Sequence, residues 1–90
     1  INSSVQAFVL LVVDQYSRVN ELLEFVNAKE NIVDCYAITG EYDYQLRLYA
    51  TDITELESIL LELKGKKCVS KSHTIFVLME HKHMLGPFTT

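Results

Sequence analysis

Hydrophobic positions along this chain switch between two periods, and the switches mark out six elements. Ala7–Val13 (AFVLLVV) is an unbroken apolar run that predicts a strand buried on both faces. Asp14 to Ser17 supply turn and cap chemistry. Val19, Leu22, Leu23 and Val26 then recur at i, i+3, i+4 and i+7, the mark of an amphipathic helix, and the polar stretch Asn27–Asn31 ends it. Ile32–Thr39 (IVDCYAIT) predicts a second strand. Gly40-Glu41-Tyr42-Asp43 is a short polar connection before Tyr44–Ala50 (YQLRLYA). That third strand alternates cleanly: Leu46, Leu48 and Ala50 face one way, and Gln45, Arg47 and Tyr49 the other. Asp52 with Glu55 three residues on predicts a helix N-terminus. Ile53, Leu56, Leu60 and Leu63 form that helix's apolar stripe, and Gly65 beside Lys66-Lys67 stops it. Ser72–Glu80 (SHTIFVLME) predicts the last strand, apolar on both faces over Ile75–Met79. A polar tail from His81 is broken by Gly86-Pro87.

The order is βαββαβ. Right-handed β-α-β crossovers put both helices on one face of the sheet. The predicted architecture is therefore α+β: a ferredoxin-like sandwich with a four-stranded antiparallel sheet of order 4-1-3-2. The other sheet face carries no helix and in a monomer should be polar. The third strand obeys that rule; the first and fourth do not. Phe8, Val9, Leu10, Leu11 and Val12, with Val77, Leu78 and Met79, are the expected interface residues. An apolar patch of that kind on neighbouring strands usually marks a contact, and a two-fold dimer through the open face is the simplest closure. The alternative closure is the chain's own tail, Met84–Phe88.

At 90 residues the chain is sized for one domain, taken as 1–90. A domain this small buries roughly 60–65% of the surface its unfolded chain exposes. With 49% hydrophobic residues, some apolar surface should remain outside, which adds weight to a partner subunit. The net charge of −4, with acidic and basic residues interspersed, lacks the basic stripe that nucleic-acid phosphates require. Cys35 and Cys68 form no CxxC pair and fit buried thiols in a reducing, cytoplasmic compartment. No run approaches the ~20 apolar residues of a membrane span, and no signal peptide is apparent. The chain opens on Ile1 rather than Met, which points to a fragment or a processed chain. His81 and His83, with His73 far along the strand, lack a third ligand and read as solvated tail residues, so no metal is expected. Cys35 lacks a neighbouring base and reads as a small buried residue rather than a nucleophile. Glu55, Glu57 and Glu62 read as a solvated helix face.

The densest special segment is Gly40–Tyr44. Gly40 is free to adopt positive φ, which lets backbone amides approach a carboxylate. Asp43 could pair with an ammonium group, and Tyr42 and Tyr44 offer flat walls with hydroxyl tips. Such a turn suits a zwitterion; it could equally be a plain hairpin loop. The run Cys35-Tyr36-Ala37-Ile38-Thr39-Gly40-Glu41-Tyr42-Asp43-Tyr44-Gln45-Leu46-Arg47-Leu48 resembles the signature of the C-terminal effector (RAM) domain of Lrp/AsnC transcription regulators. Ala7-Phe8-Val9, Phe25, Asp52, Thr74-Ile75-Phe76-Val77-Leu78 and Lys82 agree in place, so the resemblance spans Ala7 to Lys82. It implies sheet-paired dimers that associate into tetramers, octamers or larger rings. It also implies a free amino acid as effector, held where dimers meet. Gly40, Tyr42, Asp43 and Tyr44 fall on the implied effector loop, and Thr74, Ile75 and Phe76 on the fourth-strand segment. DNA would be contacted only through a separate helix-turn-helix domain, absent from these 90 residues. Neither a cofactor nor catalysis is implied. Small dimeric α+β-barrel enzymes, such as cofactor-free monooxygenases, share the order of elements. They need polar groups in a pocket between sheet and helices, where this chain places aliphatic residues.

Overall fold

Alternating burial along Val5–Val13 defines the first strand, β1: Ala7, Val9, Leu11 and Val13 are buried, and the residues between them are half-buried. The structure is a computed structural model that describes residues 4–84. After β1, Gln15 turns the chain with φ 46° and a single 3-10 turn, Tyr16–Arg18, leads into α1, Val19–Ala28. Then come β2, Ile32–Ala37; β3, Tyr44–Ala50; α2, Ile53–Lys64; and β4, Val69–Phe76. The sheet runs β2-β3-β1-β4 with every neighbouring pair antiparallel, which is the expected order 4-1-3-2 read from the other edge.

Both helices use short apolar stripes against the sheet. Leu22 and Val26 of α1 meet Leu56, Ile59, Leu60 and Leu63 of α2 over the inward residues of β1 and β3. Ile59, not Ile53, completes the α2 stripe; Ile53 is 47% exposed. Ile53 is the first helical residue, ahead of the buried positions Leu56, Ile59, Leu60 and Leu63. The α2 start is built as its residues suggest. Asp52 accepts a hydrogen bond from the Glu55 amide at 2.8 Å, while Glu55 Oε1 accepts from the Thr51 amide at 2.7 Å. The reach-back thus goes one residue upstream of the cap. Among the described residues no polar or charged side chain is buried in the core, and no helix is long and apolar enough to cross a membrane.

The last strand differs most from expectation. It begins at Val69 and ends at Phe76, rather than spanning Ser72–Glu80. Its partner decides this. β1 pairs Ala7 with Phe76 and Val13 with Val69, and a bulge at Ser70 takes up the extra residue. The Val77 amide donates once more to the Gln6 carbonyl, at 2.9 Å. The chain then leaves the edge of β1, and Leu78 is 98% exposed. The hydrophobic run Ile75–Met79 was therefore a poor guide to the strand. β2 likewise stops at Ala37, before Thr39, because the Ile38 amide turns to bond Asp43 O across the loop. Of the tail Met84–Phe88, only Met84 lies within the described residues.

Candidate functional site

The loop joining β2 to β3 is tied to the end of β1 by one residue. Asp43 donates its amide to Leu11 O at 2.7 Å, accepts from the Ile38 amide at 2.9 Å, and accepts from the Val13 amide through Oδ2 at 2.8 Å. The residue expected to hold a ligand ammonium is thus already the clasp between loop and sheet. Gly40 sits at φ +102° with open space around it, so the backbone and not packing asks for glycine. Tyr42 lies over the helix-free face. Its ring stacks on His73 of β4 at 6.4 Å, and Lys71 Nζ stands 5.6 Å from its centroid.

The strand register divides the other candidates between two faces. Tyr44 pairs with Leu11, Thr74 with Val9, and Phe76 with Ala7, so all three lie on the helix side. Ile75 pairs with Phe8 and lies on the open side with Tyr42. Within one chain the seven residues Gly40, Tyr42, Asp43, Tyr44, Thr74, Ile75 and Phe76 do not converge on a single pocket. Asp43 and Tyr44 line a groove of about 570 Å³ on the helix side, walled by Tyr16, Leu23 and Ile38.

The expected interface set is corrected in the same way. Phe8, Leu10 and Val12 form a half-buried stripe down the open face, flanked by Ile75. Val9 and Leu11 are fully buried under the helices, because alternation along one strand cannot present neighbours to the same side. Val77, Leu78 and Met79 lie beyond β4, and the last two are exposed. The described tail instead passes along the open face, where Gln6 Nε2 donates to Glu80 Oε1 at 3.3 Å and His83 and Met84 adjoin Phe8 and Arg47.

Sequence reasoning missed a polar network beside that stripe. Arg47 Nε donates to Asp34 Oδ2 at 2.6 Å, and Nη2 approaches the same oxygen. Arg47 Nη1 reaches Tyr49 Oη at 3.3 Å and Gln6 Oε1 at 3.5 Å. The pairing of Ile32 with Leu48 and of Asp34 with Arg47 leaves Val33 as an extra residue. That bulge turns Asp34 onto the open face; in unbroken register it would oppose Leu46 on the core side. The outward alternation of Gln45, Arg47 and Tyr49 was a readable signal for half of the network. The bulge had none.

Both thiols are held protonated by burial, which pushes the Cys35 thiol and the Cys68 thiol above the ordinary cysteine value. A higher value means less thiolate at neutral pH. In the folded protein, Cys68 should resist an aromatic disulfide reagent until denaturant is added, with half-buried Cys35 reacting slowly. A Cys68 rate equal to that of the unfolded chain would contradict this packing. Among the described residues no group of three or more His, Cys, Asp or Glu side chains is placed to hold a metal ion.

Comparison with known proteins bears on this arrangement. The Lrp/AsnC ligand binding domain family matches residues 6–86. An uncharacterized HTH-type transcriptional regulator of Pyrococcus horikoshii is 29% identical over 86 residues, covering 91% of this chain and 54% of that protein. The chain thus spans about half the length of that curated relative. A transcriptional regulator of Neisseria meningitidis, solved as a complex with L-Met, superposes with a TM-score of 0.83 at 28% identity, covering 90% of this chain and 54% of that one. A hypothetical protein of Pyrococcus horikoshii superposes with a TM-score of 0.70 at 25% identity, covering 88% of this chain and 95% of that one. On the extent of the family match and the shared sheet topology, this chain belongs to the Lrp/AsnC ligand binding domain family.

Proposed function

We propose that the chain is the amino-acid-sensing and assembly domain of an Lrp/AsnC-type transcription regulator, or a stand-alone version of it. The observation that carries this reading is the helix-free sheet face, where the stripe of Phe8, Leu10, Val12 and Ile75 stays partly exposed and the described tail adjoins it at Phe8. A second copy covers that stripe in a two-fold dimer, and dimers join into tetramers or octamers. Contact with DNA belongs to a separate helix-turn-helix domain, and the setting is cytoplasmic. The effector is a free amino acid, an assignment supported by the family and by the L-Met complex of the Neisseria relative.

The split of the candidate residues between two faces strengthens this reading. One amino acid is too small to touch both Tyr42 and Thr74 across a sheet. If all seven positions serve the effector, the site is complete only where copies of the chain meet. Effector binding and assembly are then coupled, because a ligand favours whichever state supplies its full set of contacts.

A thermal-shift panel over the free amino acids tests the reading. Binding to the folded state stabilises it by RT ln(1 + [L]/Kd), about 2.7 kcal/mol at a hundredfold excess over Kd. At least one amino acid should raise the melting temperature by several degrees and shift the oligomer distribution. A flat panel at millimolar concentrations would remove the sensing role.

A further inference from the structure

The Arg47–Asp34 pair stands beside the apolar stripe, on the face that carries no helix. It is sheltered, with side-chain exposures of 16% and 28%. A charge pair contributes little at an exposed surface. This one has nevertheless been assembled with care. The bulge at Val33 gives up one regular ladder position to place Asp34 opposite Arg47. Gln6 and Tyr49 accept contacts from the remaining guanidinium nitrogen.

We infer that this network is a neutralising device for self-association, a deduction that rests on the sheet-to-sheet reading above. In a two-fold contact the same face is buried in both copies. An unpaired Arg47 would there lose water with no opposite charge to meet it. Pairing Arg47 with Asp34 inside one chain compensates that charge before the copies meet. The face then asks for no opposite charge from its occupant, which fits a second copy of this chain rather than an acidic or basic partner. The pair supplies no attraction across the interface. It makes burial of the face tolerable, and breaking it leaves an uncompensated charge in each copy.

Sedimentation velocity over a dilution series, on the 90-residue chain and three variants, tests this. Asp34→Asn and Arg47→Met should each weaken dimerisation about 30-fold or more, with circular dichroism unchanged. The double variant Asp34→Asn/Arg47→Met should return to within about tenfold of the parent, since neither copy then carries a stranded charge. Single variants that dimerise like a dimeric parent would overturn the inference and leave the sheet-face reading standing. A double variant as weak as the two losses combined would also overturn it, by showing that the pair itself provides attraction. Unfolding of both single variants would make the pair a fold element and overturn it too. A parent that is monomeric throughout would instead defeat the sheet-face reading, and this inference with it.

Discussion

Leu10→Glu is expected to yield a folded monomer. Leu10 lies at the middle of the open-face stripe, with Gln45 of β3 on one side and His73 of β4 on the other. Its side chain is half-buried and takes no part in the core beneath the helices. In an isolated chain a glutamate there can still extend its carboxylate to water. The folding cost should be no more than about 1 kcal/mol, within the range of ordinary substitutions. In a sheet-paired dimer the same carboxylate is enclosed twice, once in each copy, where the parent offers an apolar side chain. Stranding a charge in an interface costs about 2–5 kcal/mol. That is enough to move a micromolar dimer beyond the reach of ordinary solution work. Light scattering should report the single-chain mass while circular dichroism and the melting transition stay near those of the parent. Unchanged assembly by Leu10→Glu would mean that the stripe faces water in solution.

Asp43→Ala should lower the melting temperature sharply with no ligand present. The carboxylate accepts the Val13 amide at 2.8 Å and fastens the loop over the end of β1. Alanine leaves a partly buried amide without its acceptor, at about 1–3 kcal/mol. For a domain of this length each kcal/mol corresponds to about 4–8 °C. A loss of about 4–24 °C follows. Asp43→Asn keeps an acceptor oxygen on the same stem and should recover most of it. This ordering separates two roles. Asparagine removes the charge that would meet an ammonium group but spares the clasp. Amino-acid response lost in a stable Asp43→Asn variant therefore reports on the ligand, whereas Asp43→Ala confounds ligand and fold. If Asp43→Ala melted with the parent, the clasp would be incidental.

The sequence carried the architecture wherever a residue's local role and its tertiary role coincide. Leu46, Leu48 and Ala50 alternate in the chain and are buried in the sheet; Asp52 and Glu55 cap α2 through side-chain acceptors a few residues away. It failed where a neighbouring strand decides. The polar segment Val69–Thr74 is strand because it pairs with β1, while the more apolar Val77–Met79 is not, because the ladder with β1 stops at Ala7 and Phe76. Asp34 shares a face with Arg47 only because Val33 is bulged, and no periodicity announces a single inserted residue. The candidate site was legible as a loop and not as a pocket. The turn residues Gly40 and Asp43 are local signals, but which face Tyr42, Thr74 and Ile75 occupy depends on register.

Sedimentation equilibrium of the parent chain at micromolar concentration, with and without the amino acid that most raises its melting temperature, tests the assembly face most directly. The expected result is a mass of at least twice the 10.3 kDa chain, with a further change in the oligomer distribution when the amino acid is added. A single species at the mass of one chain in both conditions would contradict the account.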